Sequence, residues 1–257
     1  MAYATAPDRV RIYYEAAGAG RPVLLITGAF SSLADWHDAG IFEDLARERR
    51  VIAMDLRGHG GSDRPHDASS YGWRKNAGDA FAVLEAEGAS GADVYGFSMG
   101  GQVVVAMLNG DTSRLRSLAA MGVYVPPPGF EPPAEQLVGR ARLLREQGLT
   151  TATLKDLLLG VDDPEPGPWL DRALTGDPHA YIAEAEGQAA MEDQQMPPGG
   201  PPTLLIAGEH DPLAVALCKD LPARCGYVRY RELAGARHLA GIEPGILDEL
   251  RAFWGTL

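Results

Sequence analysis

Six compact apolar or β-rich runs recur at intervals along the chain: PVLLITG (22–28), VIAMDL (51–56), ADVYGF (92–97), SLAAMGVY (117–124), TLLIAG (203–208) and YVRYREL (227–233). Their length suits strands, and most lack the apolar–polar alternation of a strand with one wet face. Helical patterns separate them, at 41–49, 76–88, 100–108 and 244–254. Such alternation predicts an α/β fold whose central sheet is mostly parallel and flanked by helices on both faces. An earlier run, RIYYEAA (11–17), adds a further strand. Between PPPGFEPP (126–133) and MPPGGPP (196–202) no strand pattern occurs. Leu137, Ala141 and Leu144 fall at helical spacing there, TATLKDLLLG follows, and Asp177-Pro178 reads as an N-cap with proline opening HAYIAEAEGQAAME. The proline-rich edges mark an insertion that leaves the sheet and returns to it. The predicted organisation is a core of residues 1–125 and 203–257 interrupted by a helical cap, 126–202, which either pads the fold or covers a site.

A chain of 257 residues, 46% hydrophobic, supports one large core with an insertion. Its net charge of −12 disfavours nucleic acid and anionic membranes as partners. Apolar runs such as VVVAML (103–108) are far too short to span a bilayer, and MAYATAPDRV lacks the apolar region of a secretory signal. Cys218 and Cys225 are too few for a disulfide framework and have no metal-ligand spacing. The expectation is a cytoplasmic protein with reduced thiols and no bound metal.

Within ADVYGFSMGGQVVVAM, Ser98 sits in Gly96-Phe97-Ser98-Met99-Gly100, a G-x-S-x-G pattern after a strand and before a helix. A serine hydroxyl is a weak nucleophile at neutral pH. It needs a base, a group to orient that base and donors for the oxyanion. Glycines on both sides allow the sharp turn that leaves the hydroxyl bare. The N–H of Met99, at a helix N-terminus, then faces any negative charge that develops. The alternative is a turn serine in an inactive scaffold.

The chain resembles the α/β-hydrolase family over nearly its whole length, through several motifs in family order. Gly28-Ala29 follows the first long apolar strand. Asp55-Leu56-Arg57-Gly58-His59-Gly60-Gly61-Ser62 looks like the family's D-x-R-G-x-G-x-S turn. The elbow at Ser98, Gly208-Glu209-His210-Asp211 after a strand, and Arg237-His238-Leu239 after the last strand complete the series. The resemblance implies that Ser98 attacks a carbonyl, His238 carries the proton and Asp211 orients His238. It also implies that the N–H groups of Ala29 and Met99 bind the oxyanion. Glu209 is the rival acid, and Asp211, followed by Pro212, has a helix N-cap role as its rival reading. His37, His66, His179 and His210 lack the strand-end context, and His59 lies in the turn that the family uses structurally. The chain departs from the family at Thr27, where a histidine is common, and at Ala29, where many relatives carry a bulky residue. It departs again at Arg237, in place of a glycine. Arg237 is either solvated or a cation at the site mouth. Phe30, Trp36, Tyr124 and Trp169 are read as core or as the lining of an apolar pocket.

The expected function is a serine hydrolase that cleaves a small or medium carboxylic ester or lactone without a cofactor, acting as a monomer or homodimer. A serine at the elbow argues against the dehalogenases and epoxide hydrolases of this fold, which attack with aspartate. Cofactor-free dioxygenases of this fold, with a similar elbow, stay possible, and three further alternatives are open: a carbon–carbon bond hydrolase, whose pocket would offer cations to a carboxylate; a perhydrolase; and a ligand-binding sensor with little turnover.

Overall fold

Strand β5 (Ala92–Phe97) buries all six of its residues and lies at the centre of the sheet. The computed structural model describes residues 2–127, 134–157, 167–189 and 194–257. Around β5 lie β1 (Ala2–Thr5), β2 (Arg11–Ala17), β3 (Pro22–Ile26), β4 (Arg50–Met54), β6 (Leu115–Met121), β7 (Thr203–Gly208) and β8 (Val228–Leu233). The order across the eight-stranded sheet is β1-β2-β4-β3-β5-β6-β7-β8. β2 pairs antiparallel with both β1 and β4, and every other pairing is parallel. This is the α/β-hydrolase fold, and the mostly parallel sheet agrees with the sequence reading.

The pleat sorts side chains into two cores. Leu24, Ile26, Ile52, Met54, Val94, Leu118 and Ala120 point to one face, where α3 (Trp73–Ala86) and α4 (Met99–Met107) pack. Val23, Leu25, Val51, Ala53, Tyr95, Phe97, Ala119 and Met121 point to the other. There they meet Trp36 from α1 (Ala34–Asp38), Leu45 from α2 (Ile41–Ala46) and Leu250 from α11 (Ile246–Trp254). Full burial of one such leucine or isoleucine contributes about 1.5–3 kcal/mol. Among the described residues no helix is long and apolar enough to cross a membrane.

Three apolar runs extend past their strands. Thr27-Gly28 lies beyond β3, Asp55-Leu56 beyond β4 and Gly122–Tyr124 beyond β6. These segments stay buried because they build the carboxyl end of the sheet. Strand β1 escaped the sequence pattern because its four residues bury only Ala4. Helices α1, α9 (Pro212–Cys218) and α10 (Leu221–Arg224) are too short to declare a period.

The turn after β4 is a clamp. Asp55 accepts the amides of Leu33 at 2.6 Å and Gly61 at 2.7 Å. Gly60, at φ +48°, has no room for a side chain, since a Cβ would lie 2.0 Å from Asp55 Oδ2. Arg57, 1% exposed, bonds to Asp79 at 2.6 and 2.7 Å and to Asp8 at 2.8 Å.

Between β6 and β7 come α5 (Ala134–Gln147), α6 (Thr151–Leu157), α7 (Pro168–Leu174) and α8 (Pro178–Gly187). Helix α8 opens as the sequence suggests, with Asp177 accepting the amides of His179 and Ala180 ahead of Pro178. The edges at 128–133, the end of TATLKDLLLG and residues 190–192 of the last predicted helix lie outside the described residues. Leu144, Leu154, Leu170, Ala173 and Tyr181 form a third core, closed from below by Phe30. Helix α7 is tied to the main domain: Trp169 Nε1 donates to Ser31 Oγ at 2.9 Å, and Arg172 pairs with Asp35 and Asp38.

Candidate active site

Strand β5 ends at Phe97, helix α4 begins at Met99, and Ser98 makes the junction at φ +54°, ψ −117°. A non-glycine residue held there stores about 1–3 kcal/mol of strain. The flanking glycines are required by space. A Cβ on Gly96 would lie 2.2 Å from the Gly100 carbonyl oxygen, and one on Gly100 would lie 2.3 Å from that of Ile26. The helix therefore packs tightly against strands β3 and β5, and its N-terminus is aimed over their carboxyl ends.

The three residues singled out from the sequence meet here. Ser98 Oγ lies 2.9 Å from His238 Nε2, and His238 Nδ1 lies 2.7 Å from Asp211 Oδ2. Asp211 is wholly buried, His238 nearly so, and Ser98 is partly accessible. Asp211 uses its two oxygens separately. Its Oδ2 faces His238 while its Oδ1 accepts the Ala214 amide at the start of α9. Glu209 points elsewhere and accepts the Gly235 amide. The imidazole of His238 lies against Gly122, at φ +69°, where a Cβ would come within 2.5 Å of Cε1. Its loop is pinned by Tyr95 Oη, which donates to the Gly241 carbonyl at 2.7 Å. Phe97 packs beside the ring, with centroids 5.1 Å apart.

Ala29 and Met99 flank this serine in sequence and space, since a Cβ on Gly28 would lie 3.1 Å from Ser98 Cβ. Among the described residues, neither their N–H groups nor the buried Thr27 hydroxyl has a hydrogen-bond partner. The next residue, Phe30, is left-handed at φ +60°. Its amide donates to His59 Nε2 at 3.1 Å. His59 Nδ1 must then carry the proton, which it gives to the Arg57 carbonyl. Burial pushes the His59 pKa down to about 4, so this ring stays a neutral acceptor. The turn histidine thus fixes the peptide that follows Ala29.

The remaining sequence candidates are distributed as follows. His37 sits between Glu15 and Glu43, His66 bonds to Asp177, and His179 packs on His66. His210 and Arg237 are exposed. Trp36 belongs to the sheet core, whereas Phe30 and Trp169 lie at the cap junction. Cys218 and Cys225 are buried free thiols.

Sequence reasoning offered a cap over a site but missed the residues on its underside. Helix α8 turns Tyr181, Glu184 and Gln188 toward the main domain. Tyr181 stacks 4.9 Å from both Phe30 and His59, and Gln188 Nε2 lies 3.6 Å from Met99 Sδ. Glu184 Oε1 is 3.8 Å from His59 Nδ1, and burial raises its pKa to about 8. Arg140, from α5, covers the Phe30 ring at 5.2 Å. An alternating strand announces its buried face. An alanine-rich helix such as α8 does not, and only three-dimensional contact reveals which side looks inward.

Residues 21–161, more than half of the chain, match the α/β hydrolase fold family. This chain belongs to that family. A 2-hydroxymuconate semialdehyde hydrolase from Pseudomonas sp. (strain CF600) is 35% identical over 114 residues, covering 44% of this α/β hydrolase and 40% of that protein. The match thus spans less than half the length of this curated relative. Two solved structures superpose throughout. A bottromycin epimerase solved with bottromycin A2 has a TM-score of 0.81 at 23% identity, covering 100% of this hydrolase and 98% of the epimerase. A thermophilic esterase from Thermogutta terrifontis has 0.77 at 23% identity, covering 99% and 97%. At such identities the shared property is the fold.

Proposed function

We propose that this α/β hydrolase cleaves carboxylic esters or lactones of small to medium size through an acyl-enzyme on Ser98. The observation that carries the reading is the continuous hydrogen-bonded line Ser98–His238–Asp211 beside two backbone N–H groups that have no acceptor among the described residues. Ser98 Oγ bonds to the carbonyl carbon as its proton passes to His238 Nε2. The carbonyl oxygen becomes an oxyanion and takes the N–H groups of Ala29 and Met99. The imidazolium that forms is held by the buried Asp211 carboxylate. The carbon–oxygen bond to the leaving group then breaks, and His238 returns the proton to the departing alkoxide. Water repeats the sequence in reverse order of roles: His238 takes its proton, the hydroxyl attacks, and the bond to Ser98 breaks.

Steady-state hydrolysis of p-nitrophenyl esters of increasing acyl length tests this reading. Turnover should fall by about a millionfold in Ser98→Ala, with folding intact. Equal rates in the two proteins at every chain length would overturn it.

A second reading is supported by the match to the semialdehyde hydrolase. The same residues can hydrolyse a carbon–carbon bond next to a carbonyl, with His238 moving the proton to carbon instead of oxygen. Negligible turnover of simple esters, together with cleavage of a vinylogous diketone that Ser98→Ala abolishes, would favour it.

A further inference from the structure

The underside of the cap carries polar groups that packing alone does not explain. Burying a polar atom without a partner costs about 1–3 kcal/mol. Yet Glu184 Oε1 and Gln188 Oε1 are both buried and unpartnered, on residues 2% and 5% exposed. They lie four residues apart, on the last turn of α8 and at its C-cap, on the side that reaches Met99 and His59. Helix α5 packs against α8 and delivers Arg140 over Phe30, the residue after Ala29. The Arg140 guanidinium donates to no described residue and makes no ion pair with Glu184. It is only partly buried, although desolvation lowers its pKa.

We infer that Arg140, with Glu184 beside it, is the recognition site for a carboxylate carried by the substrate at a distance from its scissile carbonyl. The ligand class follows from the donors. Burial keeps the Glu184 carboxyl protonated through neutral pH, so it offers an O–H and does not neutralise the arginine. The pair then presents one net positive charge, with the guanidinium N–H groups and the carboxyl O–H as donors. An alkyl chain placed there would leave every donor unsatisfied. A carboxylate accepts two parallel bonds from the guanidinium and a third from Glu184. The substrate class is a half-ester of a dicarboxylic acid, or a lactone bearing a free carboxylate. Phe30 and Tyr181 supply the apolar wall between the carboxylate and the ester.

This inference rests on the ester-hydrolase reading for the scissile bond, but its test reads binding. Ser98→Ala protein is titrated by calorimetry with monomethyl esters of malonate, succinate, glutarate and adipate, and with the matching dimethyl esters. One half-ester should bind at least about tenfold tighter than its neutral partner. The preference should vanish in Ser98→Ala/Arg140→Gln and survive in part in Ser98→Ala/Arg140→Lys. Equal or weaker binding of every half-ester, including no binding at all, overturns the inference without any need for the arginine variants. A preference that persists in a folded Arg140→Gln protein overturns it as well. Turnover of the same esters by the unmodified protein is scored separately. A half-ester preference without turnover keeps the carboxylate site and removes the esterase reading.

Discussion

The floor and the roof of the candidate site are built on opposite rules. On the floor, Ser98, His238 and Asp211 close a chain of hydrogen bonds at 2.9 and 2.7 Å, and both Asp211 oxygens are used. In the roof, Glu184 and Gln188 each leave a buried oxygen without a partner, and Arg140 donates to no described residue. On the proposed reading the floor is preorganised for bond making, where small displacements of a general base are costly. The roof is incomplete by itself, which suits groups that a ligand completes. The proposed chemistry would then be fixed by strand ends, and the proposed selectivity left to a segment that the sheet does not constrain.

After Ser98 itself, the sharpest way to break the floor is at the acid. Asp211→Asn keeps an oxygen for the Ala214 amide and removes the charge that supports the imidazolium. Turnover of a p-nitrophenyl ester should fall about 10⁴-fold with little change in thermal midpoint. A loss below tenfold would remove Asp211 from the triad.

Next in size is the joint between floor and roof. His59→Phe leaves the Phe30 amide without its acceptor and frees the peptide after Ala29. The expected loss in kcat is about 10- to 100-fold, less than for deleting an oxyanion donor outright. KM should hold nearly constant, and His59→Gln should recover part of the loss by restoring an acceptor. A change confined to KM would show that the histidine acts on substrate binding instead.

The smallest effect concerns stability. The Glu184 carboxyl is held neutral by burial in the folded state, with a pKa of about 8 against an ordinary 4.5. Arg140, His59 and the Tyr71 and Tyr181 hydroxyls face it. The folded protein therefore binds the proton more tightly than the unfolded chain. That contribution is fully present below about 4.5 and is lost as pH rises through about 8. Glu184→Gln removes the ionisation, so its thermal midpoint should gain on the parent across this window, by a few degrees, or about 1–2 kcal/mol. Parallel melting curves at pH 5 and pH 8.5 would show that the carboxyl is not held neutral.

The floor residues were legible in the sequence, and those on the underside of the roof were not, for one physical reason. Strands of a parallel sheet all deliver their carboxyl ends to one side, so Ser98, Asp211 and His238 can be placed by knowing which runs are strands. Gly122, against which the imidazole of His238 lies, sits in an apolar run whose last residues look like strand and are loop. The contact between His59 and Phe30 joins residues 29 apart and has no local signature. Arg140 and Glu184 occupy helices whose inward faces no periodicity identifies, since Ala180, Ala183 and Ala185 are buried on several sides of α8. Strand β1 was missed for want of length, with a single buried residue to mark it.

The double use of Asp211 has an evolutionary side. One oxygen orients the histidine and the other pegs the first turn of α9, whose Cys218 packs against the segment after β6. A lineage that retired the chemistry while keeping the pocket would lose little fold by drifting at Ser98 or His238. Drift at Asp211 would loosen a helix at the same stroke. Purifying selection on that aspartate would outlast the activity, so a silent descendant would keep its acid long after its nucleophile had gone.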